Sequence, residues 1–139
     1  MSKRRVVITG MGIVSPVGST LDDAWRNVSE GNSGTVVVDS FDNSTYATRI
    51  AGLVQGFDVD AYLEKKDQRK NDPFIHYCVG ASLEALRDSG LEITEENGER
   101  VGVALGAGIG GLQTIEDNLT RMITGGARKV SPFFIPGSI

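Results

Sequence analysis

The stretch from Val101 to Gly111, VGVALGAGIGG, limits what this chain can become more than any other, because a short apolar run empties into a loop with four glycines. In an extended backbone Val101, Val103 and Leu105 lie on one side and Gly102, Ala104 and Gly106 on the other. One face then bears bulky apolar groups, and the other admits a second backbone or a helix at close range. The run reads as a central, buried strand. After it, Gly106, Gly108, Gly110 and Gly111 remove the Cβ atoms that would hold a ligand or a neighbouring chain off the main chain. Gly106, Gly108 and Gly111 also satisfy G-x-G-x-x-G between a strand and a helical pattern running from Leu112 to Ile123, which raises a dinucleotide site. That fingerprint is incomplete. The acid expected about 20 residues further on to hold a ribose is missing, since no acidic residue follows Asp117.

The rest of the chain supplies elements around this strand. Arg4 to Thr9, RRVVIT, is a β-branched run ending at Gly10 and predicts the first strand. GMGIVSPVG follows. Here Ser15 stands where a dinucleotide loop wants glycine, and Pro16 lacks the N–H of a phosphate-cradling turn, so a tight turn leading into a helix is expected. Ser19 or Thr20 caps that helix, Asp22 and Asp23 suit the positive end of its dipole, and Gly31 ends it. Leu21, Ala24, Trp25 and Val28 form its predicted buried stripe. TVVVD and ATRIAGLV read as short strands or extended connections separated by a polar turn at FDNSTY. A short helix from Val59 to Glu64 is expected next, followed by an exposed basic turn.

The clearest helix runs from Pro73 to about Ser89, with Asp72 as N-cap, Pro73 as first helical residue and Gly90 beyond its end. Phe74, Ile75, Cys78, Val79, Ala81, Ala85 and Leu86 give it a wide apolar face, as in a helix laid on a sheet. SGLEITEENGERVG then delivers the chain to the glycine-ended strand. The order strand, helix, long connection, helix, strand implies an α/β fold in which the first and last strands pair in parallel through a right-handed crossover.

At 139 residues, 40% hydrophobic, 23% charged and with 18 glycines, the composition is that of a one-domain α/β protein. No apolar run approaches the ~20 residues that span a bilayer, and MSKRRVVITG has no long apolar signal region, so a cytoplasmic protein without a membrane partner is expected. The single cysteine excludes an internal disulfide framework. Net charge is −4, yet six of the 14 basic residues fall in two clusters: Lys65, Lys66, Arg69 and Lys70, and Arg128 with Lys129. Basic patches on an acidic chain argue against general nucleic-acid binding and for one particular acidic partner.

Catalytic groups are scarce. His76 and Cys78 are two apart on a helix and point about 200° away from each other, too far round to hydrogen-bond. They read as a helix-surface or interface histidine and a core cysteine. Glu95 with Glu96 and Glu116 with Asp117 are explained by solvation and helix dipoles. No cluster has metal-ligand spacing, and no phosphate loop ends in Lys and Ser or Thr. Taken alone, the chain carries no catalytic set.

RRVVITGMGIVSPVG, the FD and YAT elements, KKDQRKNDPFIHY, SGLEITEENGERVGVALGAGIGG and GGARKVSPFFIPGSI together resemble one family, the β-ketoacyl-acyl carrier protein synthases of type II. The resemblance is in order, nearly gap-free and covers essentially all 139 residues. It implies a thiolase-like fold, two α/β halves in five layers when complete, acting as a homodimer, of which residues 1–139 are the front part of the first half. For the complete enzyme it implies fatty acid elongation by an acyltransferase that needs no cofactor. A cysteine thiolate takes an acyl group from acyl carrier protein, two histidines stabilise the enolate formed as malonyl-carrier protein loses carbon dioxide, and the carbanion attacks the thioester.

Neither Cys78 nor His76 matches those catalytic positions, so these 139 residues alone are expected to be inactive. Lys66, Arg69, Lys70, Arg128 and Lys129 match the family's carrier-protein docking residues. Ile109 matches a gate in the acyl pocket, and Phe134 and Ser138 match residues that approach that pocket across the dimer interface. A polyketide ketosynthase and a non-catalytic carrier-protein binding module are the alternatives.

Overall fold

Residues 3–139 are described by the computed structural model, and they divide into two units: the described residues up to Phe57 with Ala81–Leu91, and Asp58–Gly80 with Glu92–Ile139.

In the first unit the expected tight turn forms at Ser15–Gly18, whose backbones exchange hydrogen bonds of 2.9 and 3.1 Å. Of the two candidate caps, Thr20 is the one used. It is extended (φ −130°, ψ 158°) and its hydroxyl accepts from the Asp23 N–H, starting helix α1, Leu21–Glu30. Gly31 ends the helix with φ 75°, a left-handed backbone that glycine adopts at little cost. The predicted stripe is only partly formed. Ala24 is buried and Leu21 half-buried, whereas Trp25 is 72% exposed and Val28 also faces solvent. Helical spacing puts these side chains on one face, but burial needs a second surface, and among the described residues nothing covers that side.

TVVVD and ATRIAGLV do pair. Strands β1 (Thr35–Val37) and β2 (Ile50–Gly52) run antiparallel in the register Thr35↔Gly52, Val36↔Ala51, Val37↔Ile50. The polar turn between them is held by Asn43 Nδ2 donating to the Val38 carbonyl at 2.6 Å and by an edge-on contact of Phe41 and Tyr46. Gly10 and Gly12 lie against the end of helix α3 (Pro73–Ser89), where a Cβ on either would collide with the carbonyl of Ala85 or Ala81. The Met11 N–H donates to Asp88 Oδ2 at 2.8 Å beside them. The GMG run is thus glycine-rich because a helix lies on it.

The first strand, expected over Arg4 to Thr9, and the central strand, expected from Val101, differ from expectation. Residues 4–9 and 101–105 join no sheet among the described residues, and the sheet that is present has two strands. Val6 and Ile8 are exposed, and Val103 is 81% exposed rather than buried. A strand is defined by its neighbour's donors and acceptors, which β-branched composition cannot supply.

In the second unit Asp58 caps a 3-10 turn over Val59–Ala61, accepting from the Asp60 N–H. The basic stretch that follows is helical, not a turn: α2 is Lys65–Gln68. Its start is fixed by the Asp60 carboxylate, which accepts from Lys65 Nζ at 2.6 and 2.7 Å and from Gln68 Nε2 at 2.7 Å. The first two turns of α3 lead to Gly80, and α4 starts at Leu112 as the periodicity predicts and runs to Gly125, two residues beyond the expected Ile123. A 3-10 turn at Ala127–Lys129 and the short helix α5 (Phe134–Ser138) both pack on α4.

Candidate functional site

Of the four glycines of the loop, Gly110 and Gly111 come close to a neighbour, which is protein, whereas a Cβ on Gly106 or Gly108 would meet nothing within 4 Å. Asp72 is 8% exposed, and its Oδ2 accepts from the Thr114 N–H at 3.1 Å and the Thr114 hydroxyl at 2.8 Å. Helix α4 begins after Gly111, which has no side chain with which to cap it, so the carboxylate of Asp72 serves the first turn from another element. The assignment of Asp72 to the start of α3 holds for its carbonyl, which accepts from the Ile75 N–H. A Cβ on Gly111 would lie 2.7 Å from Asp72 Oδ2. The Gly111 N–H donates to the Ser138 carbonyl at 2.9 Å, and the Asp72 N–H to the Gly137 carbonyl at 3.1 Å. These bonds join the start of α4, the segment before α3, and α5.

On this frame stand the basic side chains. Lys66, Arg69, Arg128 and Lys129 are exposed, and none of them forms an ion pair among the described residues. Lys70 is used internally: its Nζ is 2.9 Å from Asp67 Oδ1 and 5.5 Å from the centre of the Phe133 ring. Lys65 is likewise held by Asp60, whose carboxyl is lowered below its ordinary range by the hydrogen bonds from Lys65 and Gln68. Buried Asn118 donates to the Thr114 carbonyl and accepts from the Ser131 N–H, both at 2.8 Å. It thereby ties the chain after Arg128 and Lys129 to α4.

A polar cavity of ≈ 130 Å³ has Arg69, Lys70, Thr114, Asn118, Arg121 and Phe133 among its walls, and another cavity, of ≈ 410 Å³ and mixed lining, is walled by Arg121, Thr124, Gly125 and Lys129. Arg121 was not singled out by sequence. It lies in neither basic cluster, and only the winding of α4 brings it to both cavities.

The three residues matched to an acyl pocket are placed differently from one another. Ile109 is 72% exposed in the glycine loop, Ser138 is buried with its carbonyl against Gly110 and Gly111, and half-buried Phe134 lines the polar cavity. An apolar cavity of ≈ 240 Å³ lies elsewhere in the unit, walled by Phe74, Ile75, Cys78 and Val79 of α3, by Leu105 to Ala107, and by Ile139. The spacing of its four α3 residues was the sequence signal for it. His76 Nε2 lies 3.2 Å from the Gln68 carbonyl, while Cys78 lines the apolar cavity. Among the described residues no group of three or more His, Cys, Asp or Glu could hold a metal ion, and no helix is long and apolar enough to cross a membrane.

Residues 3–139 match the family described as beta-ketoacyl synthase, N-terminal domain. The whole chain is 55% identical to a 3-oxoacyl-[acyl-carrier-protein] synthase 2 of Vibrio cholerae serotype O1, 56% identical to one of Vibrio harveyi and 49% identical to one of Coxiella burnetii, covering 34% of each. It therefore spans about a third of the length of the curated relatives it matches. Among solved structures it resembles a type II PKS acyl-carrier protein in complex with its ketosynthase bound to the hexaketide (TM-score 0.79, 25% identity, 99% of this chain and 35% of that one). It also resembles a beta-ketoacyl synthase from Burkholderia phymatum (TM-score 0.77, 28% identity, 99% and 34%).

Proposed function

Because the chain belongs to the beta-ketoacyl synthase family and carries part of that family's thiolase-like fold, we propose that it is the N-terminal portion of a condensing enzyme that elongates fatty acids. The reaction is the decarboxylative Claisen condensation of malonyl-acyl carrier protein with an enzyme-bound acyl group, and the complete protein is a cytosolic homodimer. Neither Cys78, which walls an apolar cavity, nor His76, which is bonded to a main-chain carbonyl, is assigned to the nucleophilic cysteine or the two histidines of that reaction. Identities of 55 and 56% to 3-oxoacyl-[acyl-carrier-protein] synthases 2 support the fatty acid enzyme over a polyketide ketosynthase.

The observation that carries this reading within the chain is the basic surface of the second unit. Lys66, Arg69, Arg128 and Lys129 are exposed and without ion pairs among the described residues, on a protein of net charge −4. Unpaired cations on such a chain suit an acidic protein and speed its encounter. Ile109 guards the acyl chain from the glycine loop, and Phe134 and Ser138 complete the pocket across the dimer. The test is the condensation rate of the full-length protein with carrier-bound substrates. Replacing Arg128 and Lys129 by Glu is expected to raise KM for the carrier protein about tenfold or more, with a smaller change in kcat. An unchanged KM overturns the docking assignment.

A further inference from the structure

Arg121 belongs to neither basic cluster in the sequence, yet it is the wall shared by the cavity of Arg69 and Lys70 and the cavity of Lys129. We propose that Arg121 is a docking cation for the acidic carrier protein and makes the two clusters one continuous surface, an inference that rests on the carrier-protein reading above.

Three observations carry it. The first is the geometry of α4: Thr114, Asp117, Asn118, Arg121, Thr124 and Gly125 recur at helical spacing, and each lines one of the two cavities. The strip on which Arg121 sits therefore runs from the first cavity to the second. The second is availability. Arg121 is exposed and makes no ion pair among the described residues. Asp117, one turn earlier and on the wall of the same cavity, accepts instead from Gln113 Nε2 at 3.0 Å.

The third is what happens to its neighbours. Lys70 is paired with Asp67 and Lys65 with Asp60, so the first cluster keeps only Lys66 and Arg69 for an outside carboxylate. Arg121 supplies charge beside Lys70, where the internal pair has spent it.

The experiment compares binding of acyl-carrier protein to the full-length protein and to its Arg121→Glu, Arg121→Lys and Arg128→Glu/Lys129→Glu variants, over a range of salt concentrations, with thermal melts alongside. Arg121→Glu is expected to weaken binding about three- to tenfold at low salt and to flatten its salt dependence, the size of one or two exposed charge pairs made repulsive. Arg121→Lys, which keeps the charge, should stay within about twofold of the parent, and the melts should coincide. Parental affinity in Arg121→Glu with binding lost in the double variant overturns the role of Arg121 and leaves the docking surface standing. Equal losses in Arg121→Glu and Arg121→Lys, with lowered melts, mark a structural residue and also overturn it. No binding by the parent protein overturns both readings.

Discussion

Truncating Asp72 to alanine should loosen the platform on which the glycine loop and the basic residues stand. The carboxylate is 8% exposed, and a single oxygen accepts two bonds, from the Thr114 N–H at 3.1 Å and its hydroxyl at 2.8 Å. Loss of a helix N-cap acceptor costs about 0.5–2 kcal/mol, and loss of a hydrogen bond to a charged group about 1.5–3 kcal/mol. Because one oxygen serves both donors the two figures overlap, and the expected loss is about 1.5–4 kcal/mol. Asp72→Asn keeps an acceptor and should lose about 1 kcal/mol.

The assay is urea unfolding of the full-length protein, read as a midpoint shift at constant m-value. Thr114→Val removes the hydroxyl donor and leaves the N–H, so it should couple to Asp72→Ala by about 1 kcal/mol in a double-mutant cycle. Hydrogen exchange at Leu112 to Ile115 should rise in Asp72→Ala before the rest of α4 does, because the start of α4 is where the acceptor is lost. A loss in Asp72→Ala below about 0.5 kcal/mol, or strict additivity with Thr114→Val, would refute the reasoning.

Two further expectations bear on the site. Substituting Trp for Ile109 in the complete enzyme should impair condensation of long acyl chains more than short ones; equal loss at every length removes the gate role. Asp60 is held below its ordinary 3.8, first by the hydrogen bond from Lys65 and then by that from Gln68. A depressed carboxyl contributes stability that is complete above pH 3.8 and is lost as pH falls through the lower folded value. The tether of α2 should therefore persist at pH 4 and above and release in stronger acid. A carboxyl-detected NMR titration of Asp60 should show a midpoint below 3.8 that rises when Lys65 is changed to Met; a midpoint at or above 3.8 in the parent contradicts the tether.

The helices were readable from the chain because their determinants are local. Thr20 and Gly31 bracket α1, Pro73 opens α3, and the periodicity from Leu112 locates α4, each through groups within a turn of the boundary. The tight turn at Ser15–Gly18 and the polar turn between the two short strands were readable for the same reason, since turn chemistry acts over a few residues, whereas the pairing of those strands was left open. The two basic clusters were also visible, as was the close approach at Gly110 and Gly111, though not the open space at Gly106 and Gly108, because charge and absent Cβ atoms are properties of the residues themselves.

What the tertiary structure alone decided is where distant groups meet. The Asp72 carboxylate reaches Thr114, 42 residues away, although sequence reasoning gave it to its own helix. Trp25 and Val28 have the spacing of buried residues and stay exposed, and residues 4–9 and 101–105 have strand composition without a ladder. Lys70 is removed from the free cations by Asp67, and Arg121 takes a place beside it that no local pattern announced. Propensity, capping and charge are written in neighbouring residues, whereas burial, strand pairing and the partner of a charged group depend on a second surface that only folding supplies.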